Sequence, residues 1–313
     1  MSRTASVSRK TNETNISVTV DIDSTLCETF GLAKDGAREV MRTGRRGYHP
    51  LLAVISGTGD IAHARLRRGR SNDATAAPLF INETISRLRQ AGATGQIVLR
   101  ADSGFYLHDV VAACRAADVR FSIGARMIGH LRGQIEAIPD EQWQPIEYFL
   151  PGAGVAEIPY TAFTSKKGQQ ISGRLVVRRI PELGPTASRE HPTLFDTWRF
   201  HAFFTTVPAH VLDTVAADKT HRGHAIIEQV HADLKGSALA HLPSGKFTAN
   251  AAWLVLAVIA FNLTRAAATL ASGATPQTSK LAKATSATVR LIEGSVIDQK
   301  QRQREALSSA AAS

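Results

Sequence analysis

The order of segments in this chain predicts a mixed α/β fold interrupted by a mostly β insertion. Three observations carry that expectation. Short apolar strands alternate with helical segments over residues 16–126; Pro, Gly and β-branched residues dominate residues 127–204; and long helical patterns return over residues 205–272. Polar residues 1–15 read as a disordered front segment, and residues 273–313 as a polar, basic tail.

The first strand runs from Ile16 to Asp23, where Val18, Val20 and Ile22 alternate with Thr19, Asp21 and Asp23. A second is expected from about His49 to Ser56, ending in Gly57-Thr58-Gly59. DIAHARLRRG supplies a third, so this part reads as a hairpin or meander. Helical spacing covers about Asp73 to Ala91, with Ser71, Asn72 or Asp73 as candidate caps. QIVLRAD is a short, continuously apolar strand, as burial on both faces requires. A helix over Leu107–Ala117 and the strand VRFSIGA follow. Within the insertion, GVAEIPYTAF, ISGRLVVRRI and RFHAFFTTV are strand-like. Helices are expected near His221–Lys235 and Asn250–Leu270.

With 313 residues, the chain is long enough for one large domain or two modest ones. Its 43% hydrophobic and 20% charged residues describe an ordinary globule. The net charge of +10 favours a polyanionic partner, because neutralising phosphates releases counterions. Cys27 and Cys114 are the only cysteines and form no CxxC pair, which argues against structural zinc or a disulfide framework and for a reducing cytoplasm. The apolar run Ala251–Leu263 is too short to span a bilayer and reads as a buried helix.

Three acidic residues stand where chemistry is usually placed. Asp23 ends the first strand, with Asp21 one pleat earlier on the same side. Two acids on an apolar strand are costly unless a cation or hydrogen-bond donors compensate them. Asp102 ends the QIVLRAD strand before Ser103-Gly104, a position that suits a functional carboxylate and equally a helix cap. Glu228 lies in a helix where His221, His224, Glu228, His231 and Lys235 recur at steps of three or four, opposite Ile226, Ile227, Val230 and Leu234. A solvated charged face is the ordinary reading of such a stripe. A His224–Glu228–His231 metal site is a minor alternative to a carboxylate ligand flanked by cations that touch phosphate.

DST after one strand, RADSGFY after a second, and the helix from Glu228 to Lys235 together resemble the DDE transposases of bacterial insertion sequences. The resemblance is to the group with a β-strand insertion before the catalytic glutamate, and it covers roughly Val18–Leu270. It implies a ribonuclease-H-like mixed sheet flanked by helices, with Asp23, Asp102 and Glu228 as catalytic metal ligands. Asp23 is preferred to Asp21 because the family's aspartate directly precedes small hydroxyl residues, here Ser24 and Thr25. Two Mg²⁺ ions, replaceable by Mn²⁺, are the implied cofactors. The implied reaction is DNA cleavage and strand transfer. Lys235 matches the family's lysine after the glutamate, but His221 stands where a Tyr is usual and His224 where an Arg is usual, with Arg222 next door. Asp21 is expected to assist. Only a short front segment precedes Asp23, where family members carry more, so the chain reads as a shortened copy.

The resemblance implies double-stranded DNA as partner, both the transposon ends and the target, bound by a homodimer in a bacterial cytoplasm. Its backbone would meet Arg42, Arg45, Arg46 and Tyr48 in one basic run, and Arg65, Arg67 and Arg68 in another. Lys166, Lys167, Arg178 and Arg179 would meet it in the insertion. Two rivals remain open. One is a catalytically inactive, DNA-binding remnant. The other is a haloacid-dehalogenase-type phosphatase, since DIDST fits DxDxT with Asp21 as nucleophile, although no acidic pair follows a downstream strand.

Overall fold

The computed structural model describes residues 17–29, 33–40, 44–72, 75–165, 167–181 and 198–272. The polar ends, Arg42, Lys166 and the candidate cap Asp73 lie outside them.

Among the described residues, twelve strands and six α-helices follow in chain order. The front half comprises β1 (Val18–Ser24), β2 (Cys27–Glu28), β3 (Arg38–Val40), β4 (Arg45–Tyr48), β5 (Leu51–Ile55) and β6 (Ile61–Arg65). Helix α1 (Ala77–Gln90), β7 (Ile97–Ala101), α2 (His108–Ala116) and β8 (Arg120–Gly124) complete it. Then come α3 (Gly129–Glu136), β9 (Gln144–Pro145), β10 (Gly154–Ala162), β11 (Ile171–Pro181) and β12 (Trp198–Thr205). Last are α4 (Thr214–Arg222), α5 (Ile226–Lys235) and α6 (Phe247–Ser272).

The main sheet has nine strands in the order β6-β5-β1-β7-β8-β12-β11-β10-β9. Strand β1 pairs parallel with β7 and antiparallel with β5, and β7 pairs parallel with β8. That order, two antiparallel strands on one side of β1 and two parallel strands on the other, is a ribonuclease-H-like sheet. The expected insertion strands do not form a separate layer. Strand β12 hydrogen-bonds to β8, so β9–β12 extend the same sheet.

The alternation in β1 sorts its two faces. Val20 and Ile22 join Phe80, Ile81, Leu99, Val110 and Phe121 in one core, beneath α1 and α2. On the opposite face Leu52, Val54 and Ile61 meet Ile227, Val230, Leu234, Leu254 and Phe261 from α5 and α6. The sheet is therefore covered on both sides, as its parallel strands require.

Three expectations need correction. The strand expected from about His49 is not the second in the chain, because β2, β3 and β4 precede it and form a small second sheet around Arg45. Helix α1 starts at Ala77 without a side-chain cap; Ala76 takes a left-handed conformation at φ 58° and a proline stands in the first turn. Helix α6 is longer than its apolar run, and Phe247–Ala271 is long and apolar enough to cross a membrane by length and composition. It is not wholly buried either: Leu254, Ala257 and Phe261 face the core, while Leu256, Ile259 and Leu263 are exposed.

The most constrained polar contact lies inside the sheet. Asp21 and Arg100 are register partners on β1 and β7, and both are buried. Arg100 Nε donates to Asp21 Oδ1 at 2.8 Å, and Nη2 donates to Oδ2 at 2.7 Å. The guanidinium also donates to Ser56 Oγ and to the Thr220 carbonyl. Removing one partner of such a pair strands a buried charge. Arg100→Met should therefore cost about 3–5 kcal/mol in urea denaturation, and the double change with Asp21→Asn should cost less. A loss under about 1 kcal/mol in the single variant would contradict this account.

Candidate active site

The register pairs Asp21 with Arg100 and ends at Ile22 with Ala101, and Asp23 and Asp102 are the next residue on each strand. These two acids thus stand side by side at the carboxyl ends of neighbouring parallel strands, whose backbones run about 4.8 Å apart. By alternation, both project to the face covered by α4 and α5. Asp23 is partly buried, and its Oδ1 accepts from the Ser24 N–H at 2.7 Å. Asp102 is exposed and accepts from the Gly104 N–H at 2.9 Å, so it caps the short 3₁₀ turn Ser103–Phe105. Gly124 on β8 makes room for that turn, because a Cβ there would lie 2.9 Å from the Ser103 nitrogen.

Glu228 is exposed in the first turn of α5. The expected single helix from His221 to Lys235 is broken by a 3₁₀ turn at Gly223–Ala225. A Cβ on Gly223 would lie 2.8 Å from Arg100 Nη1, so the smallest residue stands where the Arg100 guanidinium passes. The break turns the histidine stripe into separate contacts. His224 donates through Nδ1 to Asp21 Oδ1 at 2.8 Å, and His231 is buried with Nε2 3.4 Å from Asp23 Oδ2. Lys235 stays exposed at the end of α5. Among the described residues, no group of three or more His, Cys, Asp or Glu is close enough to hold a metal ion. Asp23 and Asp102 are adjacent by register, and Glu228 lies on the helix over them without closing a three-residue cluster.

Asp21 is no open ligand. Its carboxylate is fully buried and taken by Arg100 and His224. The same burial removes it as the nucleophile of the phosphatase reading.

Asp102 lines a cleft of about 280 Å³ together with Ser103, Met127, Arg178, His201, His221 and His224. His221 stacks on Phe203 with ring centres 4.1 Å apart and is hydrogen-bonded to Ser122 Oγ at 2.9 Å. Burial pushes its pKa down to about 3, so it is a neutral aromatic at neutral pH. Arg222 donates to Asp218 Oδ2, and Arg178 donates to Asp218 Oδ1 at 2.7 Å. Both guanidiniums lie over the Tyr148 ring. Asp218 is fully buried, a helix residue to which the sequence drew no attention.

The expected DNA contacts divide sharply. Arg45, Arg68 and Lys167 are exposed, although Arg45 pairs with Glu28 and Arg68 with Asp35. Arg46 is partly exposed on β4. Arg65 pairs with Glu83. Arg67 is buried, donating to the carbonyls of His49, Asn72 and Thr75, so it cannot reach DNA there. Tyr48 is likewise interior, its hydroxyl donating to the Asp35 carbonyl. Arg179 pairs with Asp140 and lies between the rings of Trp143 and Trp198, each 4.5 Å away. Buried cations in the same basic runs look identical to surface ones in sequence, because only packing separates them.

Sheet order and acid placement together define a ribonuclease-H-like carboxylate domain. The chain belongs to the family described as transposase DDE domain group 1, whose model matches residues 4–313. No curated protein sequence matches it. Among solved structures it is similar to piggyBac transposase in a synaptic complex with hairpin DNA, with 10% identity and a TM-score of 0.46. That match covers 87% of this chain and 52% of the other, so the chain spans about half the length of that structure.

The depressed His221 value has a definite sign. The folded chain holds the neutral ring, whereas the unfolded chain protonates it near the ordinary 6.5. Its contribution to stability is therefore full above that value and is lost as pH falls from 6.5 towards 3. His221→Phe keeps the stack on Phe203 and cannot titrate. It should flatten this part of the stability–pH curve measured by urea denaturation. An unchanged slope would show that His221 is not held neutral.

Proposed function

We propose that this chain is the catalytic domain of a DDE transposase that cleaves DNA ends and joins them to a target. The observation that supports the reading is that Asp23 and Asp102 directly follow the last paired residues of the parallel strands β1 and β7, while Glu228 lies in the first turn of α5. Family membership supports the same activity.

Asp23, Asp102 and Glu228 would hold divalent metal, and carboxylate oxygens suit Mg²⁺ or Mn²⁺. Such ions, when bound, lower the pKa of an attacking water or 3′-hydroxyl and neutralise charge on the leaving oxygen. In the first reaction, water oxygen attacks phosphorus, the 3′-oxygen leaves, and the proton passes to solvent. In the second, the oxygen of that 3′-hydroxyl attacks a target phosphorus, the target strand's own 3′-oxygen leaves, and the proton lost by the attacking hydroxyl is balanced through solvent by the one the leaving oxygen takes up. The chain's own part is to position the phosphate and supply fixed charge around it. Asp21 and Arg100 act one pleat behind the two acids and hold their strands in register. Lys235 and the partly exposed Arg222 are the cations best placed on this face to meet phosphate.

The test is a supercoiled plasmid carrying the gene's own flanking DNA, incubated with the protein and Mn²⁺ or Mg²⁺. End-specific cuts are expected with the unaltered chain and a fall of about 10²-fold or more in Asp23→Ala, Asp102→Ala and Glu228→Ala. A second reading has its own support, since the family's arginine position is held by His224, tied to Asp21. Binding without cuts under every metal condition would favour that reading, an inactive DNA-binding domain.

Affinity for duplex DNA should fall steeply with salt. Replacing Arg45 and Arg68 by Ala should weaken binding and reduce the slope of log K against log salt by about 2. An unaltered slope would remove the small sheet from the DNA-binding surface.

A further inference from the structure

One buried group on the acid-bearing face has no function in the mechanism above. His231 is only 4% exposed, and neither of its ring nitrogens has a hydrogen-bond partner. Leaving such a group unsatisfied costs about 1–3 kcal/mol, so a buried imidazole without a partner points to something that binds it. Its Nε2 lies 3.4 Å from Asp23 Oδ2, while the other Asp23 oxygen is engaged by the Ser24 N–H. The nitrogen and oxygen therefore face each other without a hydrogen bond. Two donors, each about 2.1 Å from one ion, stand about 3.0 Å apart at a right angle and about 3.4 Å apart at the tetrahedral angle. Both groups are held from behind. Asp23 ends a strand whose Val20 and Ile22 are buried, and Ile227, Val230 and Leu234 anchor the helix that carries His231.

We infer that His231 is an imidazole ligand to the metal ion that Asp23 binds. This rests on the proposed carboxylate site and changes its chemistry. The donor set becomes mixed nitrogen and oxygen, which shifts preference from Mg²⁺ towards imidazole-accepting ions such as Co²⁺ and Zn²⁺. Glu228, one helical turn before His231, is the nearest acid along α5 that could share the ion.

The experiment is pulsed electron paramagnetic resonance of Mn²⁺ bound to the full chain, DNA-free, with every histidine labelled with ¹⁵N. Hyperfine coupling to ¹⁵N is expected in the unaltered protein and should vanish in His231→Leu. Mn²⁺ affinity should drop about 10-fold or more in the same variant, and the advantage of Zn²⁺ over Mg²⁺ in competition should shrink. His231→Asn is measured alongside, with circular dichroism melting curves, so that a folding defect in one variant leaves the other to read. Bound Mn²⁺ without ¹⁵N coupling, or with coupling that persists in both variants, overturns the inference and leaves the carboxylate site standing. Mn²⁺ binding that is absent, or indifferent to Asp23→Ala, overturns both.

Discussion

The buried pair of Asp21 and Arg100 is the contact on which the arrangement of this site depends. The two residues sit opposite each other on parallel strands, and their bidentate contact excludes a one-residue slip. Because side chains alternate along a strand, fixing that pair also fixes Asp23 and Asp102 one pleat further on. The same guanidinium reaches the Thr220 carbonyl, and His224 reaches the same carboxylate. One ion pair thus ties both central strands to the helical segment leading to Glu228. A hydrophobic pair could fill this space with less desolvation cost, but it would not select a register.

A second buried acid does similar work farther out. Asp218 on α4 receives Arg178 from β11 and Arg222 from its own helix. The contact joins the strands that extend the sheet to the helix before the glutamate. Together the two pairs explain why the extension is continuous with the catalytic sheet. Its innermost strand, β12, is hydrogen-bonded to β8, and its middle strand is pinned by charge to α4. The cleft that Asp102 lines opens between these parts, with β8 and β12 on one side and His221 and His224 on the other.

The two departures from the family's glutamate-helix pattern have distinct physical outcomes. A neutral, stacked His221 replaces an aromatic ring by another flat ring and loses little in packing. His224 is shorter than an arginine, and it lines the cleft while its Nδ1 is engaged by Asp21. The face keeps its acids and loses fixed positive charge.

From sequence alone, the mixed α/β class, the chain order of the central strands and helices, and the helical segment that bears Glu228 were legible. Each depends on local period or on residue type at a strand end, and both are written in neighbouring residues. The small β2-β4-β3 sheet was not legible, because its strands are two to four residues long and carry no apolar period. Nor were the buried roles of Tyr48, Arg67, Asp218 and His231, since a polar residue reads as exposed until its partners are known. Tertiary structure alone decided that Asp21 is an internal anchor and Asp23 the open acid. Both stand on one face of one strand; the sequence preferred Asp23 for the Ser24-Thr25 that follow it, but that Asp21 is enclosed follows only from Arg100 and His224, which arrive from distant segments.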